Sequence, residues 1–152
     1  EEYALAHKNL VVPCHDIVLE YQEGALLVVR RNQPLAGELA PIGGRLRRGM
    51  SLEDSLQLTV RRECALEVTE LHELGTCRTF FNTDPFGHRK GTDTINFMFY
   101  GKGVGKITLD PSHSEAVIIT PRVYHFIRSK LHPYVREITG RAMDIINKTN
   151  RW

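Results

Sequence analysis

Residues 43–66 read GGRLRRGMSLEDSLQLTVRRECAL, and they are the most informative segment of the sequence. It opens with two glycines and three arginines, a composition typical of a loop that contacts phosphate. Ser51 is a good N-cap, and Glu53 and Asp54 complement a helix dipole, so the pattern predicts that a helix begins here. The helix should run for about four turns. Beyond its first turn it carries a single acidic residue, Glu63.

The segments on either side of this stretch predict strands. VVPCHDIVLEY and ALLVVRR, joined by QEG, are typical of a hairpin, and ELGTCRTFFN, DTINFMFYGKG and SEAVIIT are strand-like. The segment PYVREITGRAMDIINK predicts a terminal packing helix. Its apolar residues recur at helical spacing: Val135, Ile138, Ala142, Ile145 and Ile146. This order indicates an α/β or α+β layered fold, and the length of 152 residues predicts one domain over 1–152.

The composition argues against several classes of partner. Twenty basic and 18 acidic residues give a net charge of only +2, so we expect no nucleic-acid partner. Basic loops at VVRRNQ, GGRLRRG and GHRKG suit a phosphate ligand, although each alone also fits a solvated loop. Three distant cysteines, Cys14, Cys64 and Cys77, predict free thiols in a reducing compartment. The sequence shows no signal peptide pattern and no apolar run of the ~20 residues that span a bilayer, so we expect a cytoplasmic protein without a membrane partner.

The order of hairpin, Gly-Gly loop, helix, β-meander and terminal helix resembles the Nudix fold, an α-β-α sandwich around a mixed β-sheet. Residues 44–66 can be laid without gaps on the Nudix box, G-x5-E-x7-R-E-U-x-E-E-x-G-U. The residues that obey the box are Gly44, Val60, Glu63 and Leu66. The remaining acidic, basic and glycine positions of the box fall on Met50, Leu58, Thr59, Arg62 and Ala65.

The resemblance has a direct consequence for metal binding. In ordinary Nudix pyrophosphohydrolases the box carboxylates share one helix face and hold the divalent metals. Here Thr59, Arg62 and Glu63 should share that face, and one carboxylate beside an arginine cannot form a multi-metal site. A slipped alignment would use Arg62-Glu63 as the R-E pair and Glu67 as a late Glu, but it needs about one inserted helical turn.

The chain is also similar to one branch of the family, the GDP-mannose mannosyl hydrolases, which have a reduced box. The matches span almost the whole chain: Asp16 in the first strand, Arg30 with Arg31 before N-x-P-x-x-G, Arg45 after Gly-Gly, Glu63, the GTD at 91–93, and His113. The branch differs from this chain in its first box Glu, its box Arg, an aromatic pair, a strand Tyr and a metal-ligating Gln. This chain has Met50, Leu58, Glu38-Leu39, Phe97-Met98 and Ser112 in those places.

The resemblance to this branch implies a mechanism in which water attacks the anomeric carbon of a nucleoside-diphosphate sugar. His113 would be the general base, because an imidazole titrates near neutrality. Arg30 and Arg45, with Arg31 beside them, would bind the leaving diphosphate through their planar guanidinium groups. Asp16 would complete the catalytic set or orient the basic strand end.

The same resemblance implies one Mg²⁺ or Mn²⁺ per site and a homodimer. Glu63 and a backbone carbonyl from Gly43 or Gly44 would bind the metal, with substrate oxygens and water completing its shell. Considered alone, Glu63 fits equally well as a surface acid that pairs with a nearby arginine.

Three functions stay open at this stage. The first is the hydrolase that acts at carbon. The second is a pyrophosphohydrolase whose metal ligands have moved, with Glu67 or Glu70 as candidates. The third is a catalytically silent Nudix domain that binds a nucleotide or a protein partner; Arg62 and Thr59 favour it, because a cation on the metal face can hold a diphosphate without metal.

Overall fold

A seven-stranded mixed β-sheet forms the centre of the molecule and carries helices on both faces. The computed structural model describes residues 1–149. The strands are β1 (Val12–Tyr21), β2 (Gly24–Arg30), β3 (Leu39–Ala40), β4 (Ile42–Arg45), β5 (Glu67–Phe81), β6 (Thr92–Val104) and β7 (His113–Ile119). The helices are α1 (Glu2–Asn9), α2 (Leu52–Cys64), α3 (Pro121–Ile127) and α4 (Pro133–Thr149), with a 3₁₀ turn at Arg128–Lys130.

The predicted hairpin of β1 and β2 opens into a fork. The two strands pair antiparallel only near their turn, from Leu19↔Leu26 to Tyr21↔Gly24. Beyond that point β1 pairs with β4, whereas β2 lies between β3 and β7. On its other edge β1 runs parallel to β6, which makes the sheet mixed as expected. The separated ends of β1 and β2 therefore leave a cleft between the two halves of the sheet.

Each face of the sheet has its own apolar core, so the α-β-α sandwich is confirmed. On one face α2 buries Leu56 and Val60 against strand residues such as Ile17. On the other face α4 buries Ile138 among residues such as Leu27. Each such fully buried side chain contributes about 1.5–3 kcal/mol. The other predicted contacts of α4 are also buried, except that Ile145 is only partly so.

The ends of α2 agree with the sequence in detail. Ser51 Oγ accepts a hydrogen bond from Asp54 N at 3.1 Å, which is the predicted N-cap. At the other end Ala65 adopts a left-handed conformation, with φ 61° and ψ 20°, and its amide donates to Arg61 O. The gap-free alignment places the box glycine at this residue. The turn is therefore kept without glycine, at a cost of about 1 kcal/mol.

The first helix, α1, has no counterpart in the sequence analysis. Its segment EYALAHKN lacks a regular apolar stripe, and within it only His7 is buried. The helix is held by side chains from the loop between β5 and β6, about 80 residues away in sequence. None of the helices within residues 1–149 is long and apolar enough to cross a membrane.

Candidate functional site

A cavity of about 250 Å³ lies at the open end of the fork between β1 and β2. Five of the residues predicted for the site line it: Asp16, Arg30, Gly43, Gly44 and Arg45. Its other walls come from α1, from the 32–35 loop and from β6, and Tyr134 of α4 also reaches it. Residues from four separate parts of the chain therefore meet at this point.

The remaining predicted residues lie outside this cavity. Arg31 is exposed, and only its backbone is engaged, donating to Ser112 O at 3.0 Å. His113 is the partner of Arg30 in the β2 and β7 pairing, and its side chain is only 3% exposed. Glu63 is partly buried and reaches the cavity wall indirectly, by accepting a hydrogen bond from Gly43 N at 3.3 Å.

Asp16 is fixed between a helix and a strand. The hydroxyl of Tyr134, on α4, donates to Asp16 Oδ2. On β4, a Cβ at position 43 would overlap Asp16 Oδ1 and would lie 2.5 Å from His15 O, so only glycine fits there. Burial raises the pKa of Asp16 to about 6, opposed by the Tyr134 hydrogen bond and by the charge of Arg30.

The pairing of β4 with β1 distinguishes the two glycines. Leu46 N donates to Pro13 O at 2.9 Å, and alternation along the antiparallel ladder makes His15 and Gly44 the next hydrogen-bonded pair. Gly43 therefore directs both its N–H and its C=O away from β1. The N–H donates to Glu63, which leaves the Gly43 carbonyl, and not that of Gly44, available to a ligand on this side.

Glu63 is a carboxylate whose charge is poorly compensated. Its pKa is raised to about 8, first by burial and then by the negative charge of Asp110, whereas the Gly43 N–H and Arg30 oppose the shift. A cation beside Glu63 would relieve this cost. The carboxylate and the free Gly43 carbonyl are both hard oxygen donors, so the two residues fit one divalent cation, whose other ligands would have to come from substrate and water.

Asp110 belongs to the site, although it was not among the residues predicted from the sequence. Its Oδ1 lies 2.9 Å from His113 Nδ1 and also accepts from Ser112 Oγ at 2.7 Å, while its amide donates to Glu63 O. Burial lowers the pKa of His113, and Asp110 opposes the shift. Because Asp110 accepts a hydrogen bond from Nδ1–H, the other nitrogen of the neutral ring, Nε2, has no hydrogen and can act as a base. An acid three residues before the histidine, in DPSH, was the available signal.

Arg30 is one of the two arginines within residues 1–149 that line the cavity. Its Nε donates to Pro34 O at 2.7 Å, which anchors the side chain to the loop after β2. Its charge opposes the rise that burial causes in the pKa values of Asp16 and Glu63. It also adds to the lowering of the His113 pKa, which burial mainly causes. One guanidinium therefore lies within electrostatic reach of all three titratable groups.

The helix face expected to carry metal ligands is reduced to one residue. Thr59 is buried in the core and Arg62 is exposed, so Glu63 alone of the three reaches Gly43. Within residues 1–149, no three His, Cys, Asp or Glu side chains converge as metal ligands.

The two positions considered for relocated ligands are engaged elsewhere. Glu67 pairs with Arg61 at 2.8 Å, and Glu70 pairs with Lys102 at 3.0 Å. Both carboxylates are exposed on β5, and neither lines the cavity. The pyrophosphohydrolase alternative therefore has no support from the ligands it requires.

Comparison with known proteins places the fold in context. No family model matches the chain. A curated relative, the low-salt glycan biosynthesis protein Agl8 of Haloferax volcanii, is 27% identical over 139 residues, which is 89% of this chain and 84% of the relative. This likeness spans most of both proteins.

Several solved structures share the architecture. The NUDIX domain of Shewanella oneidensis NrtR, solved with ADP ribose, has a TM-score of 0.70 at 15% identity, over 91% of this chain and 90% of that one. A NUDIX hydrolase from Nitrosomonas europaea has a TM-score of 0.67 at 18% identity, with 86% and 87% covered. The MutT NUDIX hydrolase from Burkholderia pseudomallei has a TM-score of 0.66 at 13% identity, with 88% and 98% covered. The chain therefore has the Nudix fold, as residues 44–66 predicted.

Proposed function

We propose that this chain is a hydrolase of a nucleoside-diphosphate sugar of the GDP-mannose type, which releases a nucleoside diphosphate and the free sugar. The Nudix fold shared with several hydrolases supports a hydrolytic activity. A Nudix domain solved with ADP ribose supports a nucleotide derivative as ligand. The name of the relative from Haloferax volcanii, a glycan biosynthesis protein, supports a role in sugar metabolism.

One observation carries the proposal. Arg30 lies at the open end of the cleft within electrostatic reach of Asp16, Glu63 and His113, and Arg45 lines the same cavity. Two guanidinium groups near Glu63, a single carboxylate that can bind a metal, are suited to hold a leaving diphosphate. They do not suit a cluster of cations that activates water for attack on phosphorus, because such a cluster requires several carboxylates.

The proposed chemical step is the one that the resemblance to the GDP-mannose mannosyl hydrolases implies. Water forms a bond to the anomeric carbon, and the bond from that carbon to the β-phosphate oxygen breaks. His113 Nε2 takes the proton of the attacking water, and Asp110 holds the ring through Nδ1. Arg30 and Arg45 hold the diphosphate as its charge increases. A divalent cation, when bound at Glu63 and the Gly43 carbonyl, would neutralise part of that charge.

Isotope labelling tests the bond that is broken. GDP-mannose and related nucleotide sugars are incubated with the protein and Mg²⁺ in ¹⁸O water, and the products are examined by mass spectrometry. Label in the free sugar supports the proposal. Label in a phosphate product contradicts attack at carbon and favours the pyrophosphohydrolase.

A catalytically silent nucleotide-binding domain is the second candidate. It is favoured by the loss of the box acids and box arginine, where this chain has Met50 and Leu58. Binding of GDP-mannose without any turnover, measured by calorimetry on the protein used for labelling, would establish this function in place of hydrolysis.

A cytoplasmic location remains an expectation from the sequence, and a homodimer remains an expectation from the resemblance. Cys14, Cys64 and Cys77 are all free, which fits a reducing compartment. Sedimentation equilibrium of the purified chain measures the oligomeric state directly.

A further inference from the structure

One face of the first helix, α1, lines the cavity. Tyr3 and His7 lie four residues apart on that face, and both line the cavity. Both rings also contact the edge or face of Phe86, with centroids 5.4 and 5.1 Å apart. An eight-residue helix is not stable alone, so these contacts determine where α1 lies.

A pair of histidines fastens α1 to the loop between β5 and β6. His7 Nδ1 lies 2.8 Å from His88 Nε2. Lys90 N donates to His88 Nδ1 at 3.1 Å, so the neutral His88 ring carries its hydrogen on Nε2. The Nε2–H group then donates a hydrogen bond to His7 Nδ1. Asp84 holds the loop in turn, by accepting from the amides of Phe86 and Arg89.

Tyr3 meets one of the arginines assigned to the diphosphate. The guanidinium carbon of Arg45 lies 3.8 Å from the centroid of the Tyr3 ring. In the described part of the chain no carboxylate pairs with Arg45. A stacked guanidinium uses its face and leaves its N–H edges free for phosphate oxygens.

We propose that Tyr3 is a positioning residue for Arg45, so that α1 completes an anion site at the wall of the cavity. This inference rests on the proposed function only in assigning the diphosphate of the substrate to that site. The arrangement orders a long side chain before the ligand arrives. Anion binding therefore costs less side-chain entropy than it would with a freely moving arginine.

Calorimetric titration with inorganic diphosphate tests the proposal without requiring turnover. Tyr3→Leu should weaken binding by about fivefold, the size of one cation–π contact. Tyr3→Phe keeps the ring and should bind within about twofold of the unchanged protein. Arg45→Gln should show the largest loss, and adding Tyr3→Leu to it should cause no further loss. Leu5→Ala, at a 63% exposed position on the same helix, is the matched control.

A second variant guards against a simple folding defect. His7→Leu removes the hydrogen bond to His88 without changing Tyr3 or Arg45, and it should weaken diphosphate binding in the same direction. Thermal unfolding of every variant is measured alongside.

The outcomes separate this proposal from the proposed function. Binding by Tyr3→Leu equal to that of the unchanged protein would overturn the positioning role, as would an equal loss in Tyr3→Phe. The expected order of affinities without any sugar release would support the positioning role and refute the hydrolase. Absence of diphosphate binding by the unchanged protein would refute the anion site itself.

Discussion

The two sides of the cleft are built in different ways. On one side α2 is a well-capped helix whose buried residues are Leu56, Val60 and Cys64 together with Ser55 and Thr59. Its one carboxylate that reaches the strands of the cleft is Glu63. On the other side strands, loops and α1 bring charged and polar groups to the cavity through contacts between distant segments, as Tyr134 does with Asp16. α2 therefore has mainly a structural role, and most of the groups assigned to the proposed chemistry lie on the opposite side. Under the proposed function, the number of carboxylates on α2 is a poor guide to activity.

The first prediction concerns Gly43 on β4, the strand that connects the two sides of the cleft. Gly43→Ala places a Cβ against Asp16 Oδ1 and 2.5 Å from His15 O. We expect sugar release to fall by about 100-fold, because the strand and Asp16 must shift by an ångström or so. The free energy of unfolding should fall by about 1–3 kcal/mol. Rate assays and urea denaturation measure the two effects.

The neighbouring glycine is the control for that substitution. A Cβ at Gly44 meets nothing within 4 Å. Gly44→Ala should therefore leave the free energy of unfolding close to that of the unchanged protein. An equal loss of stability from both substitutions would show that the close approach of Asp16 to Gly43 does not matter.

The second prediction concerns the general base. His113→Ala should lower kcat by about 100-fold or more, because it removes the group that accepts the proton. Asp110→Asn should lower kcat less, since the ring remains and loses only the carboxylate that holds it. His125→Ala, at an exposed position, is the control. Unchanged sugar release by His113→Ala would remove the base from the mechanism.

The third prediction tests the helix side. Glu63→Gln should raise the Mg²⁺ concentration for half-maximal activity by about tenfold or more, because the metal loses its anionic protein ligand. Glu67→Gln is the matched control, since Glu67 pairs with Arg61 at the surface. A Mg²⁺ dependence unaffected by Glu63→Gln would leave α2 with a structural role only.

The smallest effect is expected from acidification of the α1 contact. Burial lowers the pKa of His7 and the neighbouring His88 lowers it as well, while the charge of Asp84 opposes both, so the folded protein favours the neutral ring. The stabilisation is present above the ordinary pKa of about 6.5 and is lost as pH falls through the lowered value. Diphosphate affinity should therefore fall about fivefold between pH 7 and pH 5 beyond the change shown by His7→Leu in the same buffers. An identical pH dependence in both proteins would contradict this role of His7.

The sequence predicted what depends on local pattern. The N-cap at Ser51 and the apolar stripe of α4 follow from residues within a few turns of each other, and the structure has both. The resemblance to the Nudix box extended this to the sandwich and its mixed sheet. Positions on β1, β2 and β4 were found the same way, and the structure brings Asp16, Arg30 and Arg45 to one cavity.

The remainder depends on contacts that no local pattern encodes. Asp16 and Tyr134 are 118 residues apart, and His7 and His88 are 81 apart. The sequence did not indicate Tyr3, because its proposed role depends on the stacking of Arg45 on its ring. Arg62 was expected on the metal face, but the turn of α2 leaves it exposed. Contacts of this kind depend on how the strands and helices pack together, which no short segment of sequence determines.

The parallel pairing of β1 with β6 also has a consequence for the order of folding. Val12 pairs with Thr94 and Glu20 with Lys102, so these neighbours are about 80 residues apart along the chain. During synthesis the hairpin and α2 can form from short stretches of chain. The part of the cavity that is lined by β1 and β6 can form only after β6 has left the ribosome. Long-range pairing of this kind is slow and costs loop-closure entropy. Binding competence is therefore expected late in folding, after most of the secondary structure has formed.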